Sequence, residues 1–229
     1  MHKKIIVVDV INKDFAVIDS SCLPREETEF SCLQALCVWS GIGILCTAES
    51  PTCSQGLFFV DGYKQRPSFL CLKTPHTAPR SLDWSMLHSS KTPCEGVVVR
   101  PTERQPKDCD AVVLYPHGGP HSSHVAVFSA PIAFYASMGL TVLLVNFTGS
   151  IGYGQRSVDE LPGNLDRSVT DCMDLLHEMN ASSHRLPTAS SKFVLMGGSY
   201  GGFVCAHLSA SSELSFCCAI LRNPVINIK

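Results

Sequence analysis

Uninterrupted apolar runs frame the second half of this chain. Ala111–Tyr115 (A-V-V-L-Y), Leu140–Val145 (L-T-V-L-L-V) and Phe193–Met196 carry almost no polar residue. Strands covered on both faces read this way, and they belong to parallel sheets. Glu95–Arg100 and Phe216–Leu221 read as further strands. Between them the period changes. Leu165, Val169, Cys172, Met173 and Leu176 recur at i, i+4, i+7, i+8 and i+11, which lines one face of a helix over 164–179. Phe128, Ile132, Phe134 and Tyr135 supply the apolar contacts of a helix over 126–138, and Phe203, Val204, Ala206, His207 and Leu208 continue as another. Strands alternating with helices predict an α/β fold, a mostly parallel sheet with right-handed crossovers.

The first third has another texture. Short strands are expected at 5–11, 15–19, 35–46, 56–60 and 69–72, separated by turn signals at Asn12-Lys13-Asp14, Pro24, Ser50-Pro51 and Asp61-Gly62. Such a piece is all-β and about the size of one or two propeller blades, too few to close a propeller alone. Thr74-Pro75-His76-Thr77-Ala78-Pro79 and Ser89-Ser90-Lys91-Thr92-Pro93 bracket a Pro/Ser/Thr-rich stretch, with Trp84, Met86 and Leu87 as docking residues. The expected organisation is a β segment over 1–75, a linker over 76–93 and an α/β domain from 94 to 229.

Composition narrows the classes. A 45% hydrophobic, 17% charged chain of 229 residues can bury a sizeable core. Its formal net charge of −2 offers nothing to nucleic acid or to an anionic membrane. No apolar run is long enough to span a bilayer, and Asp9, Asn12, Lys13 and Asp14 break the N-terminal run too early for a signal peptide. Twelve cysteines raise the question of disulfides or zinc. No C-x-x-C pair occurs, and Cys37, Cys46, Cys71, Cys205 and Cys217 sit in apolar runs. They read as reduced thiols acting as small hydrophobes in a cytoplasmic protein, with no metal and no cofactor.

The chemistry lies at 192–208. After the apolar strand, Gly197-Gly198-Ser199-Tyr200-Gly201 matches G-x-S-x-G and leads into a helix. This is the pattern of a nucleophile elbow, a sharp turn that lifts one serine hydroxyl clear of a sheet. Upstream, Pro116-His117-Gly118-Gly119-Pro120 follows the 111–115 strand. A Gly-Gly loop there can aim backbone N–H groups at an oxyanion, with the Tyr200 N–H as second donor. The third loop, Asn146 to Gly154 (N-F-T-G-S-I-G-Y-G), reads as structural rather than catalytic.

These motifs, with P-H-G-G-P-H-S at 116–122, L-P-G-N at 161–164 and R-N-P-V-I-N-I at 222–228, resemble the prolyl oligopeptidase family of serine peptidases. The resemblance covers about residues 94–229; around Val7–Val10 the chain faintly resembles the end of that family's propeller, and 12–75 match little. It implies an α/β-hydrolase domain, here its N-terminal half, preceded by a partial propeller-like segment. Within the family, the similar members release an N-acylated, typically N-acetylated, amino acid from short peptides in the cytoplasm. Ser199 would be the acyl-enzyme nucleophile, and Gly119 and Tyr200 the oxyanion donors. No metal or cofactor, no nucleic acid and no membrane partner is implied; full-length members form homo-oligomers.

Two departures stand out. The family loop carries N-x-R-G-S, and this chain has Thr148 at the arginine. The residues after Ser199 contain no Asp, one Glu (Glu213) and one His (His207), which lies about 12 Å along the elbow helix. The triad's Asp and His are therefore expected to be missing from this chain, read as a C-terminally incomplete sequence. The alternatives are an inactive truncated hydrolase that binds as a decoy subunit, and another α/β-hydrolase activity such as a lipase or carboxylesterase.

Overall fold

The structure, a computed structural model, describes residues 5–9, 14–18, 30–39, 42–61, 68–73, 75–76, 81–103, 111–181 and 192–226. The chain forms two compact units, Met1–Ser81 with Val125–Phe134, and Leu82–His124 with Tyr135–Lys229.

In the first unit, β1 (Ile5–Asp9) pairs antiparallel with β2 (Asp14–Ile18). β3 (Cys32–Trp39), β4 (Gly43–Ser50), β5 (Cys53–Asp61) and β6 (Ser68–Lys73) form an antiparallel meander. The run expected as one strand over 35–46 is two: the Ile42 N–H donates to the Trp39 carbonyl and Trp39 pairs with Gly43. Ser40-Gly41 is a turn dipeptide set within an otherwise apolar run. Ile18, Phe30, Leu33, Ile44, Cys46, Phe58 and Val60 make this unit's core. Residues 125–134 join it through two bonds: the Ser31 hydroxyl donates to the Ala126 carbonyl, and the Phe128 N–H to the Glu49 carboxylate.

The second unit holds a sheet ordered β12-β11-β9-β10-β8-β7 among the described residues. β9 (Ala111–Pro116), β10 (Thr141–Asn146), β11 (Lys192–Gly198) and β12 (Phe216–Arg222) run parallel. β8 (Glu95–Pro101) pairs antiparallel with β10 and with β7 (Leu82–His88). Residues 82–88 thus form a regular strand within the stretch expected to be a linker. Its polar content follows from its place at the sheet's edge, where one partner suffices. β9 and β10 are the apolar runs of the sequence, with Val112, Leu114, Val142, Leu143 and Val145 essentially inaccessible.

The helices are α1 (Ala130–Ser137), α2 (Gln155–Asp159), α3 (Asp166–Ala181) and α4 (Tyr200–Ser209). α3 buries Cys172, Met173 and Leu176, as its spacing predicts, and Met179 besides, while Val169 is half-buried. It also buries Ser168, Asp171 and Asp174, a polar row three residues apart. The expected turn residues Asn12, Lys13, Pro24 and Gly62, and Asn227 and Ile228 of the last motif, lie outside the described residues. No helix among the described residues is long and apolar enough to cross a membrane.

Candidate active site

β11 ends at Gly198 and α4 begins at Tyr200. Ser199 makes the turn between them at φ 53, ψ −121, a backbone conformation that costs an L-residue about 1–3 kcal/mol. The surroundings over-determine it. Its N–H donates to the Arg222 carbonyl at 3.0 Å, and its own carbonyl accepts from the Phe203 and Val225 N–H groups at 3.1 Å each. Residue 199 is exposed at this corner, so its hydroxyl is not interred.

The glycines mark how closely the pieces approach. A Cβ on Gly197 would lie 2.3 Å from the Gly201 carbonyl oxygen, and one on Gly201 2.3 Å from that of Pro116. The first turn of α4 therefore rests on the ends of both β11 and β9. A Cβ on Gly118 would come within 3.0 Å of the Gly198 oxygen and 3.4 Å of Ser199 Cβ. The His-Gly-Gly loop lies directly against the serine. Gly119 takes φ +47 with open space around it, which suits a residue lacking a Cβ.

Tyr200 opens α4, so its N–H is among the donors that a helix start leaves without an intrahelical partner. Its ring is buried between Phe147 (5.6 Å) and Phe203 (5.4 Å). Its hydroxyl meets that of Ser168 at 3.0 Å, and burial raises its pKa. The side chain is thus tied down from beneath while the amide stays at the helix end.

His117 is no base for Ser199. Its Nδ1–H donates to the Gly118 carbonyl at 3.0 Å, which leaves Nε2 to accept from the Ser150 hydroxyl at 2.7 Å. The ring stacks on Phe147 at 4.3 Å, and burial lowers its pKa. The third loop, expected to be structural, is the other half of this brace. Asn146 Oδ1 accepts from the His124 N–H at 2.7 Å, and its Nδ2 donates to the His124 carbonyl at 2.8 Å and to the Tyr153 hydroxyl at 2.9 Å. His121 Nδ1–H donates to the Gly149 carbonyl at 2.9 Å, and the Ile151 N–H to that of Ser122. Sequence reading missed Asn146, His121 and His124 as loop staples, because single polar residues in a Gly-rich loop carry no periodicity.

This brace titrates. Burial first, and the neighbouring His117 second, push the His124 pKa down to about 4, against the usual value near 6.5. The unfolded chain takes up a proton below pH 6.5 that the folded one refuses until about pH 4. His124 therefore contributes stability that is complete above pH 6.5 and drains away as the pH falls toward 4. Urea midpoints are expected to drop steadily between pH 7 and pH 4.5, with a shallower drop in His124→Gln; pH-independent midpoints over that range contradict this.

Of the one histidine and one carboxylate after Ser199, neither is gathered to it. His207 packs against Phe203 in a tilted arrangement at the far end of α4, with ring centroids 4.3 Å apart, and the Glu213 carboxylate lies 3.5 Å from His177 Nε2. A cavity of about 890 Å³ lies to one side, lined by Asn146, Phe147, Thr148, Tyr153, Arg156 and Arg167 among others; Ser199 is not among its lining residues. Among the described residues no cluster of His, Cys, Asp or Glu is arranged to hold a metal.

Comparison with known proteins agrees with this geometry. The profile of the Prolyl oligopeptidase family matches residues 126–229. The acylamino-acid-releasing enzyme of Sus scrofa is 32% identical over 190 residues, 78% of this chain and 25% of that protein. Its Homo sapiens counterpart is 38% identical over 135 residues, 58% of this chain and 18% of that protein. The chain thus spans about a quarter of the length of such relatives. Among solved structures, Pyrococcus horikoshii acylaminoacyl peptidase superposes with a TM-score of 0.68 at 17% identity, covering 91% of this chain and 32% of that one. A puromycin hydrolase gives 0.68 at 21% identity, covering 96% and 33%. At those identities the likeness speaks for the fold, an α/β-hydrolase sheet preceded by an all-β part. With the sequence match added, residues 126–229 carry this chain's likeness to the Prolyl oligopeptidase family.

Proposed function

We propose that this chain carries the nucleophile and oxyanion elements of an acylaminoacyl-peptidase. The observation that carries the reading is the exposed, positive-φ Ser199 at a strand-to-helix turn with the Gly118 backbone packed against it. Ser199 Oγ attacks the carbonyl of an N-acylated first residue. The oxyanion takes the Gly119 and Tyr200 amides, with the positive end of α4 beneath it. The C–N bond then breaks, the leaving amine takes a proton, and the N-acylated residue remains as an ester on Ser199 until water releases it. Serine needs a base for this, and on this reading the triad's Asp and His are missing from this chain. The relatives named above support short N-acylated peptides as substrates. The reading requires neither metal nor cofactor and places the protein in the cytoplasm, as a homo-oligomer when full length.

The positions of His207 and Glu213 favour one alternative, a catalytically inactive subunit that binds without turning over. Incubating the purified full-length protein with a fluorophosphonate probe and mapping the adduct by mass spectrometry separates them. An adduct on Ser199 is expected; an unlabelled Ser199 in folded protein leaves the binding subunit.

A further inference from the structure

Asp171 is a carboxylate with no exposed surface, set in the middle of α3 beneath the 146–150 loop. Its Oδ2 accepts from the Thr148 N–H at 2.7 Å. Its Oδ1 has no hydrogen-bond donor among the described residues. The cation nearest to it is Arg167, one turn back on the same helix, whose Nε lies 3.6 Å from Oδ1. A buried charge is costly unless it is paired. The residue already bonded to Asp171 is Thr148, which offers an amide and no charge. Thr148, Arg167 and Thr170 all line the adjoining cavity of about 890 Å³, so the space beside position 148 is ample for a longer side chain.

We infer that Arg167 is a positioning residue. Its guanidinium neutralises Asp171, and Asp171 in turn fixes the Thr148 amide and with it the loop that braces His117, His121 and His124. The charge enters from the helix because the loop residue cannot supply it. The chain of contact is continuous. Arg167 faces Asp171, Asp171 holds Thr148, and from the same loop Ser150 holds His117 and the Gly149 carbonyl holds His121. The consequence for Ser199 rests on the function proposed above; the pairing itself does not.

The geometry makes a specific demand: one arginine is needed at Asp171, and it can come from either side. Arg167→Leu is expected to lower the Tm by about 5 °C, because it strands a buried carboxylate. It is also expected to slow fluorophosphonate labelling of Ser199 roughly tenfold, as the loop loses its footing. Adding Thr148→Arg to that variant places a guanidinium beside Oδ1 from the loop, and both losses are expected to recover. A role for Arg167 in helix stability alone gives no such rescue from another element. An unchanged Tm in Arg167→Leu, or a double variant no better than the single one, overturns the inference. If Ser199 is never labelled, yet the Tm falls and recovers in this pattern, the pairing stands and the enzymatic reading fails.

Discussion

Ser199→Ala is expected to abolish acyl transfer while leaving the fold intact, and Ser199→Gly to abolish it while making the protein more stable. On the proposed reading the hydroxyl is the attacking group, and losing a triad member costs on the order of 10⁴–10⁶ in rate. Alanine keeps the Cβ, so it inherits the φ 53, ψ −121 conformation and its cost. Glycine has no such penalty. The relief of about 1–3 kcal/mol is partly offset by roughly 0.5–1 kcal/mol of extra chain entropy, which leaves a net gain of about 1 kcal/mol. Labelling rates and urea denaturation of the two variants check both halves. Ser199→Gly denaturing earlier than Ser199→Ala refutes the claim that the turn is strained. Residual labelling in either variant at a tenth of the parent rate refutes the claim about the hydroxyl.

Gly201→Ala is expected to be among the most damaging single-methyl additions in the second unit. The new Cβ would stand 2.3 Å from the Pro116 oxygen and 2.9 Å from that of His117. Both are backbone atoms at the end of β9, so no rotamer change clears them. α4 would have to lift from the sheet, opening the buried contacts of Val204, Cys205 and Leu208. Overpacking of this kind costs about 3 kcal/mol, and more where backbone must move. Gly119→Ala supplies the comparison: nothing lies within 4 Å, so only its φ of +47 opposes the change, at about 1 kcal/mol. Thermal melts of the pair should separate by several degrees, with Gly201→Ala the lower. Equal melting temperatures would mean that α4 is not seated on β9 as described.

The parts legible in the sequence were those where one physical demand dominates a run of residues. β9, β10 and β11 are apolar on both faces, and α3 repeats its contacts at the helical period. The elbow and the glycine loop were legible because close backbone approach excludes side chains, and excluded side chains leave glycines. β7 was not, because an edge strand half open to water can be as polar as a linker. The division at Trp39–Gly43 was not, because one serine and two glycines were outweighed by the long apolar run around them. The buried row Ser168, Asp171 and Asp174 escaped for a deeper reason. Each meets a partner far away in sequence: the Tyr200 hydroxyl, the Thr148 amide and the Lys91 ammonium. Period analysis sees only that a residue is polar, and polar residues on a helix are assigned to solvent by default.

Loops 117–124 and 146–151 are stitched to each other at several points. They form a single mechanical part distributed over two places in the chain. Anyone shuffling segments between relatives, or randomising the glycine loop to change substrate preference, is handling half of that part. Libraries that vary both stretches together should retain far more folded members than libraries built on either one.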